Sequence, residues 1–150
     1  MNRTIAKHIF DELVARTGSQ VNVRIRSRFP GGRNVGGKYS MNEHGITMYL
    51  EEIRKQCMNI FGSLERYEEV LRIVFAHELG HSADRDLSTL SDQFDMCEDE
   101  LERKKIALLI EENAWHYAEE ILPEVDQSVL QTMIYVSLQS YREAIAQEIA

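Results

Sequence analysis

The stretch His77-Glu78-Leu79-Gly80-His81, HELGH in one-letter code, places two histidines four residues apart in a chain of 150 residues. On an α-helix, side chains at this spacing project from the same face one turn apart, so both imidazoles can reach one metal ion. Glu78 is rotated about 100° from His77 and would lie beside such an ion, not bind it. There it could take a proton from a zinc-bound water and return it to a leaving amine. The pattern therefore predicts a catalytic zinc site with Glu78 as the general base.

The sequence around this motif predicts a buried or half-buried helix. Apolar residues recur at helical spacing through residues 64–84, and Val70 and Val74 share a face with the two histidines. Burying two imidazoles without partners would be costly, which favours a bound metal. Gly80 costs the helix about 1 kcal/mol relative to Ala. It predicts that a substrate or a crossing helix approaches closely at that point.

A catalytic zinc ion needs a third protein ligand, and the sequence offers two neighbouring candidates. Leu87 stands six residues after His81, which excludes the long form of the motif that ends in a third histidine. In a later predicted helix, Glu111 projects from an apolar face, where a carboxylate is unfavourable unless it meets a cation. Glu112 has fewer apolar neighbours and is the second choice.

The remaining sequence predicts one α+β domain over residues 1–150. Apolar periodicity and turn residues indicate a helix at 3–16, strands at 21–29 and 46–50, and helices after 51, at 64–84, at 99–122 and from about 126. Residues 84–96 show no clear period and are predicted to be irregular. We therefore expect a small, mostly antiparallel sheet packed on the motif helix, with the C-terminal helices behind it.

Composition bounds the partners and the compartment. The chain has 25 acidic and 17 basic residues, a formal charge of -8, and no run of Lys and Arg, which argues against nucleic acid or an anionic membrane as a partner. It shows neither a signal peptide nor a membrane-spanning stretch. Its two cysteines form no CxxC pair, which favours a cytoplasmic, reducing location. The sequence indicates no oligomeric state.

The motifs together resemble a known family. HELGH is followed about thirty residues later by E-x-x-A-x-x-Y-A at residues 111–118 and by I-L-P at residues 121–123. This arrangement resembles the ImmA/IrrE-type zinc peptidases, a branch of the gluzincins, and with the G-x-Y at residues 37–39 and the strand at 46–50 the resemblance covers roughly residues 20–123. Trp115 and Asn113 stand where that family often has Asn and a second Glu.

The resemblance implies a zincin-like metalloprotease fold in which His77, His81 and Glu111 hold Zn²⁺. It also implies hydrolysis of peptide bonds in an intracellular protein, for example a repressor, since members are often regulators of phages or mobile elements or stress-response proteases. A substrate segment would pair with the sheet edge near residues 39–50. His116, Tyr117 and Tyr39 are candidates for stabilising the oxyanion, and Asp84 is a candidate for orienting a ligand histidine.

Three other functions compete with a peptidase. The first is a non-catalytic regulator that binds a partner protein on the same fold, and the second is a zinc hydrolase of small amides. The third is nucleotide binding by PGGRNVGGKYS at residues 30–40, which nearly matches a phosphate-binding loop. Tyr39 stands where that loop requires a hydroxyl ligand for magnesium, and no helix is predicted after it. The stretch therefore favours a loop that leads into a hairpin.

Overall fold

Six helices and one three-stranded sheet make up residues 3–150, the part of the chain that this computed structural model describes. In chain order they are α1 (Arg3–Thr17), β1 (Asn22–Arg26), β2 (Gly37–Ser40), β3 (Gly45–Tyr49), α2 (Leu50–Phe61), α3 (Tyr67–Ala83), α4 (Leu87–Met96), α5 (Glu100–Ile121) and α6 (Gln127–Ile149). The predicted α+β class is confirmed at this level.

The sheet is mixed, not mostly antiparallel as predicted. Its strand order is β1-β3-β2, with β3 parallel to β1 and antiparallel to β2. The loop between β1 and β2 crosses one end of the sheet, where Gly36 accepts a hydrogen bond from the Tyr49 amide and Ser27 accepts one from Glu51. The following hairpin then returns β3 to the middle of the sheet. As a result β2 is an edge strand. The pairing of β1 with β3 joins strands that are not consecutive in the chain, so the local sequence pattern does not predict it.

The motif helix α3 lies at the centre of the molecule. It packs against α1, α2, α5 and the sheet, and most of its apolar side chains are buried. Phe75 of α3 stacks on Phe10 of α1 with ring centroids 4.6 Å apart. The helix is therefore held on several sides by apolar contacts, which fix the direction of the side chains on its remaining face.

Residues 84–96 were predicted to be irregular, and this prediction is wrong for most of the segment. Helix α4 occupies Leu87–Met96, and none of its residues is fully buried. Leu87, Leu90 and Phe94 lie at helical spacing and are half-buried on the side that meets α5. The apolar stripe is short and interrupted by polar residues, so its period is weak in the sequence although it suffices to dock one helix on another.

The last two helices begin and end close to the predicted positions. The Asp99 side chain accepts a hydrogen bond from the Leu101 amide at the start of α5, and the Asp126 side chain accepts one from the Ser128 amide at the start of α6. Pro123 follows shortly after α5, as its missing amide hydrogen and fixed backbone angle require. These local signals set the length of α5 and hence the position of Glu111 along it.

Two further observations concern the apolarity of the helices and the state of the cysteines. Among residues 3–150, none of the helices combines the length and apolarity needed to cross a bilayer. Cys57 is buried and Cys97 is half-buried, and both are free thiols.

The glycine-rich loop between β1 and β2 is tied to α2 by a buried carboxylate. Glu52 is 4% exposed, and its Oε2 accepts a hydrogen bond of 2.9 Å from the Phe29 amide. The Asn34 amide side chain donates to both the carboxylate and the backbone carbonyl of Glu52, each at 3.3 Å. After Lys38 the chain continues as β2 and not as a helix, as the comparison with phosphate-binding loops predicted. The loop is thus anchored at two points.

Replacing Glu52 by Gln is expected to destabilise the protein by about 1–2 kcal/mol at pH 7, because the hydrogen bonds lose their charged acceptor. The Phe29 amide holds the pKa of Glu52 below its usual value, against the opposing effect of burial. A lowered pKa in the folded state stabilises the fold above the unfolded value of about 4.3. This contribution is lost as the pH falls through the folded-state pKa.

Thermal melts of the wild type and Glu52→Gln between about pH 3 and pH 7 test this expectation. The gap between the two melting temperatures should be full above about pH 5 and should close in acid. A gap that stays constant with pH would show that the carboxylate charge does not anchor the loop.

Candidate metal centre

Helices α3 and α5 bring two histidines and one glutamate together. Glu111 Oε1 lies 2.9 Å from His77 Nε2, and Glu111 Oε2 lies 3.2 Å from His81 Nε2. The side chains are largely shielded, with exposed fractions of 12% for His77, 11% for His81 and 15% for Glu111. The carboxylate of α5 therefore spans the two imidazole nitrogens of α3 inside the protein.

Glu78 belongs to the same cluster on the other side of His77. One donor atom from each of His77, Glu78 and His81 lies within 4.8 Å of the others, so this group could hold a metal ion. Glu78 Oε2 lies 2.9 Å from His77 Nδ1, and the residue is 5% exposed. The two nitrogens of the His77 ring thus face two different carboxylates.

The donor set suits a divalent metal in its chemistry and its spacing. Imidazole nitrogens and carboxylate oxygens are common zinc ligands at about 2.0–2.1 Å, and corners of such a tetrahedron lie about 3.3 Å apart. The separations of 2.9 and 3.2 Å between Glu111 and the histidines are close to that value. A ligand histidine usually donates its other ring N–H to a carboxylate, and Glu78 is placed to accept from His77 Nδ1. The residues present therefore fit a zinc ion.

The electrostatics of the cluster favour a cation among the carboxylates. Burial alone would lower the pKa of His77, but the charge of Glu78 and the hydrogen bonds that the His77 ring donates to Glu111 and Glu78 raise it to about 10. Burial would raise the pKa of Glu111, but its hydrogen bonds with His77 and His81 lower it to about 2. The raised pKa of His77 and the lowered pKa of Glu111 both indicate that the cluster favours a positive charge beside its carboxylates, which would also stabilise a metal cation.

Gly80 is the point at which α5 crosses α3. A Cβ atom built at Gly80 would overlap the carbonyl oxygen of Ala114 and lie 2.8 Å from its Cα. The close approach predicted from this glycine is therefore made by a crossing helix. It brings the two backbones together one residue before His81 and three residues after Glu111, which sets the distance between the imidazoles and the carboxylate.

Trp115 packs against the candidate metal centre from α5. Its ring stacks on the His77 imidazole, with centroids 4.4 Å apart and an interplanar angle of 27°. The indole Nε1 donates a hydrogen bond of 3.0 Å to Ser137 Oγ on α6. The tryptophan thus fixes the plane of one candidate ligand and ties it to the last helix.

The cluster lies in a cleft of about 660 Å³ between the sheet edge and α6. Gly36, Gly37, Lys38 and Tyr39 contribute the loop and edge strand on one side, and Met133, Val136, Ser137, Ser140 and Tyr141 contribute α6 on the other. A Cβ at Gly37 would lie 2.9 Å from Glu78 Cγ, so the start of β2 packs directly against that side chain. The edge strand and the candidate base therefore share one cleft.

Several residues considered from sequence lie elsewhere. Glu112 is exposed and is not among the residues that line the cleft of Glu111 and the two histidines. Asp84 accepts hydrogen bonds from the Asp86 amide and from Asn113, and the carboxylate that contacts His77 Nδ1 is instead Glu78. His116 is 78% exposed and pairs with Glu120.

The tyrosine candidates for stabilising an oxyanion also separate. Tyr117 lines a smaller cavity with His116 and shares a hydrogen bond with Thr17, away from the metal centre. Tyr39 lines the main cleft, but its hydroxyl is 2.8 Å from His44 Nδ1. Tyr117 thus lies outside the cleft of the histidines, whereas Tyr39 lies in it with its hydroxyl paired to His44.

Tyr141 is a residue of the cleft whose place beside the candidate site the sequence did not predict. It lines the cleft beside Glu111 and Glu78, and burial together with the charges of these carboxylates raises the pKa of its phenol. Its position falls on the apolar stripe of the last helix, where a tyrosine at helical spacing ordinarily indicates core packing. Its hydroxyl is the one signal that could have suggested a polar surrounding.

Comparisons with known proteins leave the family open. No family model matches the chain, and no curated protein or solved structure shows a significant match.

Proposed function

We propose that this chain is a zinc-dependent metallopeptidase that hydrolyses peptide bonds of a protein substrate. The observation that carries the proposal is the carboxylate of Glu111 spanning the Nε2 atoms of His77 and His81, at 2.9 and 3.2 Å. His77, His81 and Glu111 would hold the zinc ion, and Glu78 would remain beside it. Three protein ligands with one position left for water or substrate are typical of catalytic zinc sites.

The chemistry divides between the ion and the side chains around it. A zinc ion held by His77, His81 and Glu111 would lower the pKa of a bound water and would polarise the peptide carbonyl. Glu78 accepts the proton of the attacking water and transfers it to the leaving amine. Tyr141 lines the same cleft, and its hydroxyl would donate a hydrogen bond to the carbonyl oxygen as negative charge develops there.

The form of the cleft favours a peptide over a small amide. The edge strand β2 lines it, and the side of β2 not paired with β3 can add an extended segment by main-chain hydrogen bonds. Glu78 lies directly behind Gly37, so a segment on this edge would pass the candidate base. The ImmA/IrrE-type gluzincins, which cleave regulatory proteins within cells, are the kind of peptidase that we propose. Two free thiols agree with action in the cytoplasm.

Protein N-termini in cells that express the wild type or Glu78→Gln test the function. We expect new termini with the wild type only, because the amide of Gln cannot accept the proton of the attacking water. Purified Glu78→Gln should retain one zinc ion per chain, since Glu78 is not one of the three proposed ligands. Glu112→Gln, which changes an exposed carboxylate, is the matched control and should leave the new termini unchanged.

Identical termini from the wild type and Glu78→Gln would reject the peptidase. If both proteins still hold one zinc ion, a partner-binding regulator on the same fold would then explain the site better.

A further inference from the structure

We propose that the cleft selects an extended acidic segment, so that the protein acts on a substrate with Asp or Glu beside the cleavage point. This inference specifies the substrate of the proposed peptidase and rests on that function for its site. The observations that support it are the charge distribution along the chain and the place of two cationic side chains at the cleft.

Charge is distributed very unevenly along the sequence. Residues 1–38 carry eight Lys and Arg side chains and two acidic ones, a net charge of +6. Residues 39–150 carry nine basic and 23 acidic side chains, a net charge of -14. The net charge of -8 for the whole chain therefore includes a basic N-terminal part, and this part supplies the loop and the first two residues of the edge strand β2 at the cleft.

Arg33 and Lys38 bring this positive charge to the cleft. Both are exposed and line it, Arg33 from the loop and Lys38 from β2. Among residues 3–150, neither side chain has a carboxylate partner within ion-pair distance, whereas Arg24 on β1 pairs with Glu43 at 3.5 Å. The charge of Arg33 also opposes the rise in the pKa of Tyr141. The positive charge of Arg33 therefore acts on a residue of α6 that lines the same cleft. Two cations thus stand free where a bound segment would pass.

The position of Lys38 matches the way in which a strand would bind. A segment added to β2 would place one of its side chains directly opposite Lys38, and opposite charges in such a cross-strand pair are favourable. Arg33 is held near by the anchor of the loop, in which Asn34 donates to Glu52. A segment with acidic side chains would therefore form favourable ion pairs at two points along its length, with Arg33 and with Lys38.

A peptide fits these features better than a nucleic acid. Glu78 and Glu111 lie in the same cleft, and residues 39–150 carry a large net negative charge. A continuous row of phosphates would therefore be repelled. A peptide can alternate carboxylates with neutral side chains and can also pair its amides with the edge of β2. Charge complementarity of this kind sets specificity and the rate of association.

The test measures peptide binding in a form that does not depend on turnover. Fluorescent ten-residue peptide pools with mixed central residues and flanks of Asp, Asn or Lys are titrated with zinc-loaded Glu78→Gln by anisotropy. We expect the Asp pool to bind about tenfold more tightly than the Asn pool at about 20 mM salt, as two exposed ion pairs allow. The preference should shrink at about 200 mM salt, because exposed charges are screened.

Charge reversal supplies the decisive comparison. Arg33→Glu with Lys38→Glu should bind the Lys pool more tightly than the Asp pool, a gain of binding that a misfolded variant could not show. Arg85→Glu with Lys105→Glu changes the net charge equally at exposed positions outside the cleft, and it should keep the preference for Asp.

Equal affinities of the Asp and Asn pools, no measurable binding of any pool, or an unchanged preference after reversal would each overturn the inference. If a ten-nucleotide single-stranded DNA binds more tightly than the Asp pool, the ligand of the cleft would be a nucleic acid and not an acidic peptide. The outcome is separate from that of the proposed function. New N-termini without an acidic preference would leave the peptidase standing, and an acidic preference without new termini would leave a binding protein.

Discussion

Replacing Glu111 by Gln is expected to weaken zinc binding by more than about a hundredfold. The carboxylate approaches the Nε2 atoms of both His77 and His81, and it is the one proposed metal ligand with a negative charge. Binding free energies of about 10–16 kcal/mol for four-ligand structural zinc sites correspond to roughly 2.5–4 kcal/mol per ligand, so the loss of one ligand has an effect of about this size. The glutamine side chain has nearly the same shape as the glutamate that it replaces, so the helices should stay in place.

Competition with a chromophoric zinc chelator measures this change in affinity. Glu112→Gln alters the neighbouring exposed carboxylate and should bind zinc as the wild type does. Glu78→Gln separates the two possible third ligands. If Glu78→Gln loses zinc and Glu111→Gln keeps it, the metal is held by His77, Glu78 and His81, and the proposed base is a ligand instead.

Replacing Gly80 by Ala is expected to destabilise the protein by about 3 kcal/mol or more. In an ordinary helix interior this change would stabilise the helix by about 0.5–1 kcal/mol. Here the added methyl group would overlap the backbone of Ala114, which cannot move aside as a flexible side chain can. Helices α3 and α5 must then separate, and forced separation of a packed core commonly costs about 1–3 kcal/mol and can cost more.

Thermal unfolding should show this loss as a fall of roughly 6–12 °C in the melting temperature. Zinc affinity should fall as well, since the separation would carry Glu111 away from the histidines. Gly45→Ala is the matched control, because a Cβ at Gly45 would lie 3.5 Å from the nearest atom, an ordinary contact. A Gly80→Ala protein as stable as the wild type would mean that the crossing of the helices is looser than this structure has it.

The parts of the candidate site that could be predicted from sequence are those with local signals. One helix determines both the spacing of His77 and His81 and the apolar period around them, so both can be read from neighbouring residues. Glu111 can be distinguished from Glu112 because the two residues occupy different faces of their helix. The structure shows these side chains together, although the role of each stays a prediction. Gly80 was informative because a glycine inside a helix is unfavourable without a reason of its own.

The features that could not be predicted depend on contacts between distant parts of the chain. The parallel pairing of β1 with β3 joins strands that the loop and β2 separate. Helix α4 has a stripe too short and too polar to stand out from a loop. Tyr141 had the spacing of a core residue, and only the packing of α6 on α5 reveals the carboxylates near it. In each case the sequence pattern around the residue or element does not show which distant part of the chain contacts it, and that contact determines its role.

Trp115 is the one tryptophan of the chain, and its ring lies on the imidazole of His77. An imidazolium in contact with an indole quenches its emission, whereas an imidazole bound to zinc does not carry the same proton. The fluorescence of the unlabelled protein should therefore change when metal enters or leaves the centre. If it does, the proposed metal loading of the site could be followed in real time without a dye, a tag or a known substrate.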